Sequence, residues 1–162
     1  MADRVSVMDH GRIAQTGTPG EVYEAPRTRY VADFVGTINL VEGRVEAVTG
    51  NRVELDAGSH RLSVENDGDM PGAGDTAWFA VRPEKLRVSK TAPTDGAANA
   101  VKGEVWDIAY LGDMTIYNVH LPSGAMLKAS VLNATRAVED PITYEDEVWI
   151  NHAPDAGTVL IR

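Results

Sequence analysis

The sequence predicts an antiparallel β-barrel or sandwich, a mainly β fold, carrying a small hairpin and two short helices at its N-terminus. Three observations lead there. From Asn39 onward, short runs of alternating apolar residues are separated by Gly, Pro, Asn and Asp clusters, and strands this short bury one face only when wrapped around a common core. Residues before Gly36 follow a different pattern, with helical spacing and two capping signals. Finally, part of the β-rich region repeats: Asn39-Leu-Val41-Glu-Gly43-Arg-Val45 returns as Asn99-Ala-Val101-Lys-Gly103-Glu-Val105.

Taken in order, residues 2–17 read as a complete β-hairpin. Val5 and Val7 alternate with polar neighbours, His10-Gly11 supplies a two-residue turn, and Arg12–Gln15 returns. A lone hairpin is marginal in water, so the pair is expected to be the last strands of a larger domain. Thr18-Pro19-Gly20-Glu21 is a capping box with proline at the first helical position. That helix is short because Pro26 disfavours helical geometry at Ala25. A second short helix follows Thr28, with Tyr30, Val31, Phe34 and Val35 proposed as one face and Gly36 as its stop. The expected division is residues 1–36 and residues 37–162.

In the larger part, Gly43–Val48 and Arg52–Leu55 flank the Gly50-Asn51 turn. His60–Val64 follows, then a Gly-rich loop, then Thr76–Val81 and Lys85–Val88 parted by Pro83. After a linker-like stretch at 90–100 come Val101–Tyr110, Met114–Leu121 and Ala125–Val131. Residues 132–146 fit no element, and Glu147–His152 and Thr158–Ile161 close the chain. Asp75, Trp78 and Pro83 recur in spacing as Asp146, Trp149 and Pro154. Two echoes in the same order predict a duplicated β-unit whose copies close a shared core.

Composition narrows the function classes. The 162 residues are 43% hydrophobic, with a formal charge of −9. Residues 37–162 hold eleven basic and nineteen acidic side chains, the opposite of the basic stripe that a phosphate backbone requires. No apolar run approaches the ~20 residues of a membrane span, and residues 1–20 lack the pattern of a signal peptide. There is no cysteine, hence no disulfide, thiolate metal site or cysteine nucleophile. Nor is there a Gly-Lys phosphate loop or a G-x-S-x-G elbow. His10, His60, His120 and His152 match no ligand spacing and read as surface or turn residues. No catalytic, cofactor or metal residue is assigned.

Two stretches are more specific. In Val81-Arg82-Pro83-Glu84, Pro83 breaks a strand while Arg82 and Glu84 project on one side, available to partners across the fold or an interface. In Tyr110-Leu111-Gly112-Asp113, followed by Tyr117, Gly112 and Asp113 need turn geometry, and the two tyrosines read as core aromatics. The acidic group Glu139, Asp140, Glu145, Asp146 and Glu147 reads as a solvated loop, since Pro141 and Ile142 interrupt any ordered ligand spacing.

The run Ala2–Pro26 resembles the C-terminal end of the ATPase subunit of bacterial ABC importers. Residues 39–162 resemble the transport-associated OB module (TOBE) appended to it, through Val81-Arg-Pro-Glu84 and Tyr110-Leu-Gly-Asp113. Phe34–Asn39 and Tyr110–Gly124 look most like the spermidine/putrescine branch. The resemblance implies an OB-like barrel whose role is dimerisation of ATPase subunits and regulation. It implies ATP, Mg²⁺ and contact with transmembrane permease subunits only for an ATPase domain upstream of residue 1. It places the chain in the cytoplasm at the inner face of the membrane, with no direct membrane insertion and no nucleic-acid partner. A stand-alone small-ligand or oxyanion-binding β-barrel is the alternative, and it requires a polar pocket at the repeat interface. Under either reading Val5, Val7, Ile13, Tyr30 and Phe34 are expected to be buried against the barrel or a second chain.

Overall fold

The computed structural model of the chain describes residues 3–58, 60–66, 70–91, 99–132 and 142–162. Strands β1 (Val5–Asp9) and β2 (Arg12–Gly17) form the N-terminal hairpin. Its turn carries positive φ at both His10 and Gly11, the geometry that matches strand twist in two-residue hairpins. Helix α1 (Pro19–Glu24) begins at Thr18, whose hydroxyl accepts from the Glu21 N–H. Helix α2 (Arg29–Phe34) begins in the same way at Thr28, which accepts from Val31.

The hairpin and helices pack around Val7, Val22 and Val31. Three expected core members are not there: Ile13 is 63% and Phe34 65% exposed, and Tyr30 is exposed too. The helix turns Val31 and Ala32 inward, which leaves Tyr30 and Phe34 stacked on each other outside. An i, i+4 aromatic pair satisfies the helical spacing rule on either face, and the shorter aliphatics fit the narrow gap above the barrel.

Ten further strands make two five-stranded antiparallel sheets. One runs β12-β6-β3-β4-β5, with β3 Asn39–Thr49, β4 Arg52–Asp56, β5 Arg61–Glu65, β6 Thr76–Val81 and β12 Thr158–Leu160. The other runs β10-β9-β8-β11-β7, with β7 Arg87–Ser89, β8 Val101–Tyr110, β9 Met114–His120, β10 Met126–Leu132 and β11 Glu147–Asn151. A single apolar core, including Val45, Leu55, Phe79, Val105, Leu121 and Ile150, lies between them. Pro83 opens a 3₁₀ turn, Pro83–Lys85, between β6 and β7. The linker and ambiguous stretches fall largely on 92–98 and 133–141, outside the described residues.

The duplication is real in atomic detail. Strands β3 and β8 each carry a bulge at the same place, after Val45 and after Val105. The Val45 N–H donates to Asp75 O at 2.8 Å, and the Val105 N–H donates to Asp146 O at 2.9 Å. Asp75 caps its own turn by accepting from Gly72 N, as Asp146 does from Thr143 N. After each copy's fourth strand the chain crosses over. β7 leaves the first copy and pairs with β11, whereas β12 leaves the second and pairs with β6. The two sheets are thereby exchanged at their edges and closed on each other.

Candidate functional site

Val81 ends β6 facing the core, so alternation sends the next side chain to the opposite face, beneath the N-terminal helices. Pro83 then fixes the backbone and starts the 3₁₀ turn. Arg82 is only 4% exposed. Its Nη1 donates to the carbonyls of Ala32 (3.2 Å) and Thr37 (3.1 Å), and its Nη2 donates to the carbonyl of Tyr23 (2.9 Å). The guanidinium lies 4.1 Å from the centre of the Tyr23 ring. The Tyr23 hydroxyl donates to Glu84 Oε2 at 2.7 Å. Glu84 raises the Tyr23 phenol above its ordinary range, chiefly through that hydrogen bond, because ionising the hydroxyl would remove the donor.

Arg82 and Glu84 thus grip one residue of the N-terminal segment from two sides. The guanidinium fork suits this role: its donors are fixed in a plane, and both C-terminal ends of the short helices offer unpaired carbonyls. Nearby, Arg29 stacks over Trp78 at 3.7 Å, and the Arg29 N–H donates to the Arg162 carbonyl. Gln15, buried in β2, accepts from Arg27 N and donates to Ala25 O. The Arg82, Glu84 and Arg29 contacts bind residues 3–36 to the sheet pair, and the Gln15 bonds brace that segment internally.

The second motif lies on the other sheet, at the tip of the β8–β9 hairpin. Gly112 has φ of +81°. Tyr110 is 71% exposed, not a core aromatic. Its register explains why. Val105, Val119 and Leu127 form one row across β8, β9 and β10, and Ile108, Tyr117 and Ala129 the next. In the third row, Tyr110, Thr115 and Val131, the central Thr115 is buried while Tyr110 and Val131 on either side of it are exposed. Tyr117, one row in, is half-buried, and burial raises its phenol. Asp113 stays at the exposed turn. Arg82, Pro83 and Glu84 therefore act on the N-terminal segment, whereas Tyr110, Gly112 and Asp113 present an exposed hairpin.

Sequence reasoning missed Tyr23, the common partner of Arg82 and Glu84; nothing in its local spacing marks it. It also misplaced His152, which is buried at 7% exposure, whereas His60 does lie in a turn, half-buried with its ring toward the small cavity that both line. Of the acidic group, Glu139 and Asp140 are outside the described residues. Asp146 accepts from both the N–H and the hydroxyl of Thr143 and pairs with Lys90. The cavity at the repeat interface measures about 10 Å³, room for one water and not for an oxyanion.

Residues 79–160 match the TOBE domain family. The chain is 38% identical over 162 residues to the putrescine transport ATP-binding protein PotG of Escherichia coli K12, covering 99% of this chain and 42% of that protein. It is 42% identical over 139 residues to the spermidine/putrescine import ATP-binding protein PotA of Rubrobacter xylanophilus, covering 85% of this chain and 36% of the relative. The chain therefore spans about two fifths of the length of these relatives. Among solved structures, the cytoplasmic molybdate-binding protein ModG, with molybdate bound, superposes with a TM-score of 0.64 at 14% identity. The match covers 76% of this chain and 96% of that one. The likeness is one of fold and identifies the sheet pair as OB-like.

Proposed function

The chain belongs to the TOBE domain family, and from that premise we propose that it is the C-terminal regulatory and dimerisation module of the ATP-binding subunit of a bacterial ABC importer for polyamines. The observation that carries the reading is the grip of Arg82 and Glu84 on Tyr23. It makes residues 3–36, which in this reading are the tail of the ATPase domain, mechanically continuous with the OB-like body. A rigid joint of this kind lets a paired C-terminal body hold two ATPase domains close, which raises the effective concentration for their closure around nucleotide.

In this reading the module itself is not an enzyme and holds no cofactor. ATP and Mg²⁺ belong to the ATPase domain, as does contact with the transmembrane permease subunits. The homodimer forms through the OB-like body, and the assembly sits at the cytoplasmic face of the membrane. No helix among the described residues is long and apolar enough to cross a bilayer. The competing small-ligand reading loses its support at the repeat interface, where the cavity is too small and its walls are largely apolar.

Disruption of the gene in its host tests the proposal. Uptake of radiolabelled spermidine and putrescine is expected to fall and to return with the intact gene. Unchanged polyamine uptake would overturn it.

A further inference from the structure

The two repeats turn the same three-stranded face outward and cover it with different chemistry. Strands β3-β4-β5 of the first correspond to β8-β9-β10 of the second: Val45, Leu55 and Leu62 form one inward row, and Val105, Val119 and Leu127 form its equivalent. On the first repeat the outward side chains are ionic. Arg61 pairs with Glu46 at 3.5 Å, and Arg52 pairs with Glu65 at 3.1 Å. By register, the second repeat has Met126 and Trp106 in place of the first pair, and Ile116 and Ser130 in place of the second. Asp56, between Arg44 and Arg61, becomes His120, between Glu104 and Met126.

Trp106 is the extra residue of the β8 bulge and is 55% exposed. Its ring lies flat on that of His120, with centroids 4.0 Å apart and planes 9° from parallel. Met126, in register with His120, is exposed, and so is Leu132 at the far end of β10. The first repeat shows that this fold accepts ion pairs at these places, so packing within the chain does not require the apolar set. An apolar platform of this size facing outward marks a contact surface. Lys102 and Glu104 keep the charged character of Glu42 and Arg44 further along β8. Across β8, β9 and β10, two outward charges are new to the second repeat. Asp107, Asn118 and Lys128 lie side by side, where the first repeat has Ala47, Glu54 and Ser63. The acid and the base stand one strand, about 5 Å, to either side of β9.

We propose that the outer face of β8-β9-β10 docks against the same face of a second chain, about a two-fold axis that runs along β9 between them; this assigns a surface to the dimerisation proposed above and rests on it. A two-fold contact brings a patch against itself. Rotation about β9 exchanges the β8 side with the β10 side. Asp107 of each chain then faces the partner's Lys128, and Trp106 faces the partner's Met126. A face with an acid on one side of the axis and a base on the other is self-complementary, whereas like charges on both sides would repel. The tryptophan and methionine supply the large, adaptable apolar contacts favoured at the dry centre of an interface. The ionic face of the first repeat stays in water.

Sedimentation equilibrium of the purified chain tests the assignment, with circular dichroism to confirm the fold of each variant. Trp106→Glu combined with Met126→Arg installs the first repeat's residues at the equivalent places. The dimer dissociation constant of this double variant is expected to rise at least about tenfold. Asp107→Lys alone sets lysine against lysine and should weaken the dimer about fivefold or more, and adding Lys128→Asp should restore it. Glu54→Lys, on the first repeat's face, is expected to leave association unchanged. A folded Trp106→Glu, Met126→Arg variant that dimerises as tightly as the wild type would overturn the assigned face and leave dimerisation standing. Failure of Lys128→Asp to rescue Asp107→Lys would overturn the two-fold arrangement. A wild-type chain that is monomeric at every concentration would overturn the dimerisation reading and this surface with it.

Discussion

Asn39 and Asn99 occupy the same place in the two copies, and each clasps the backbone of the opposite copy. Asn39 Nδ2 donates to Lys128 O while its Oδ1 accepts from Lys128 N, both at 2.8 Å. Asn99 Oδ1 accepts from Ser63 N at 2.6 Å and Nδ2 donates to Ser63 O at 3.0 Å. Ser63 on β5 and Lys128 on β10 are equivalent edge positions, so each side chain imitates one residue of a missing neighbouring strand. The carboxamide is the side-chain group that offers a donor and an acceptor in the peptide's own geometry.

Replacing either asparagine with alanine leaves one backbone N–H and one C=O unpaired in a part-buried seam. Asn39→Ala is expected to destabilise by about 1–3 kcal/mol. Asn99→Ala should lose more, because Asn99 sits at φ of +67°, where asparagine is tolerated better than alanine. Urea unfolding checks both values, and equal effects would contradict the backbone part of the argument.

Arg82→Lys removes the planar fork but keeps the charge. An ammonium cannot serve the carbonyls of Tyr23, Ala32 and Thr37 with the same geometry. Amide hydrogen exchange in residues 3–36 should accelerate by roughly tenfold or more, the equivalent of a loss of about 1.4 kcal/mol, while β8–β10 keeps its protection. Tyr23→Phe, which loses the Glu84 bond alone, should act in the same direction and more weakly.

The repeated glycines Gly43 and Gly103 serve close approach of a neighbouring strand rather than a bend. A Cβ at Gly103 would stand 2.5 Å from Val119 Cγ1 and 2.9 Å from His120 O, whereas one at Gly43 would stand 3.0 Å from Asp56 O. Gly103→Ala is therefore expected to destabilise by about 2–3 kcal/mol and Gly43→Ala by about 1 kcal/mol. Thermal unfolding of the two variants orders them.

Asp146 supplies a separate pH effect. Hydrogen bonds from Thr143 and the pairing with Lys90 hold its carboxyl below the ordinary value of 3.8. That contribution is present above 3.8 and lost as pH falls below it. Asp146→Asn should flatten only the lowest part of the acid stability profile, below about 3.8, and leave stability at neutral pH little changed.

Much of this architecture was legible because the elements are punctuated by residues with one physical job. Thr18 and Thr28 cap helices, Gly11 and Gly112 take positive φ, and alternation set the limits of β6 and β8. The N-x-V-x-G-x-V echo located the duplication. It could not show that the asparagine reaches across to the other copy, since Lys128 lies 89 residues from Asn39. Burial of charged and aromatic side chains was the weak point. Arg82 read as available to partners across the fold or an interface, but nothing local named the three carbonyls from distant segments that surround it, and Tyr110 read as core although its place at the outer end of β8 leaves it exposed. Both outcomes depend on how far one sheet extends over another, and local spacing does not encode that.

Self-association of the chain is the most direct test of the proposed role. Multi-angle light scattering over a range of concentrations is expected to give a mass that rises with concentration to twice the 17.4 kDa of one chain. A mass of one chain at every concentration, with the fold intact by circular dichroism, would contradict the account.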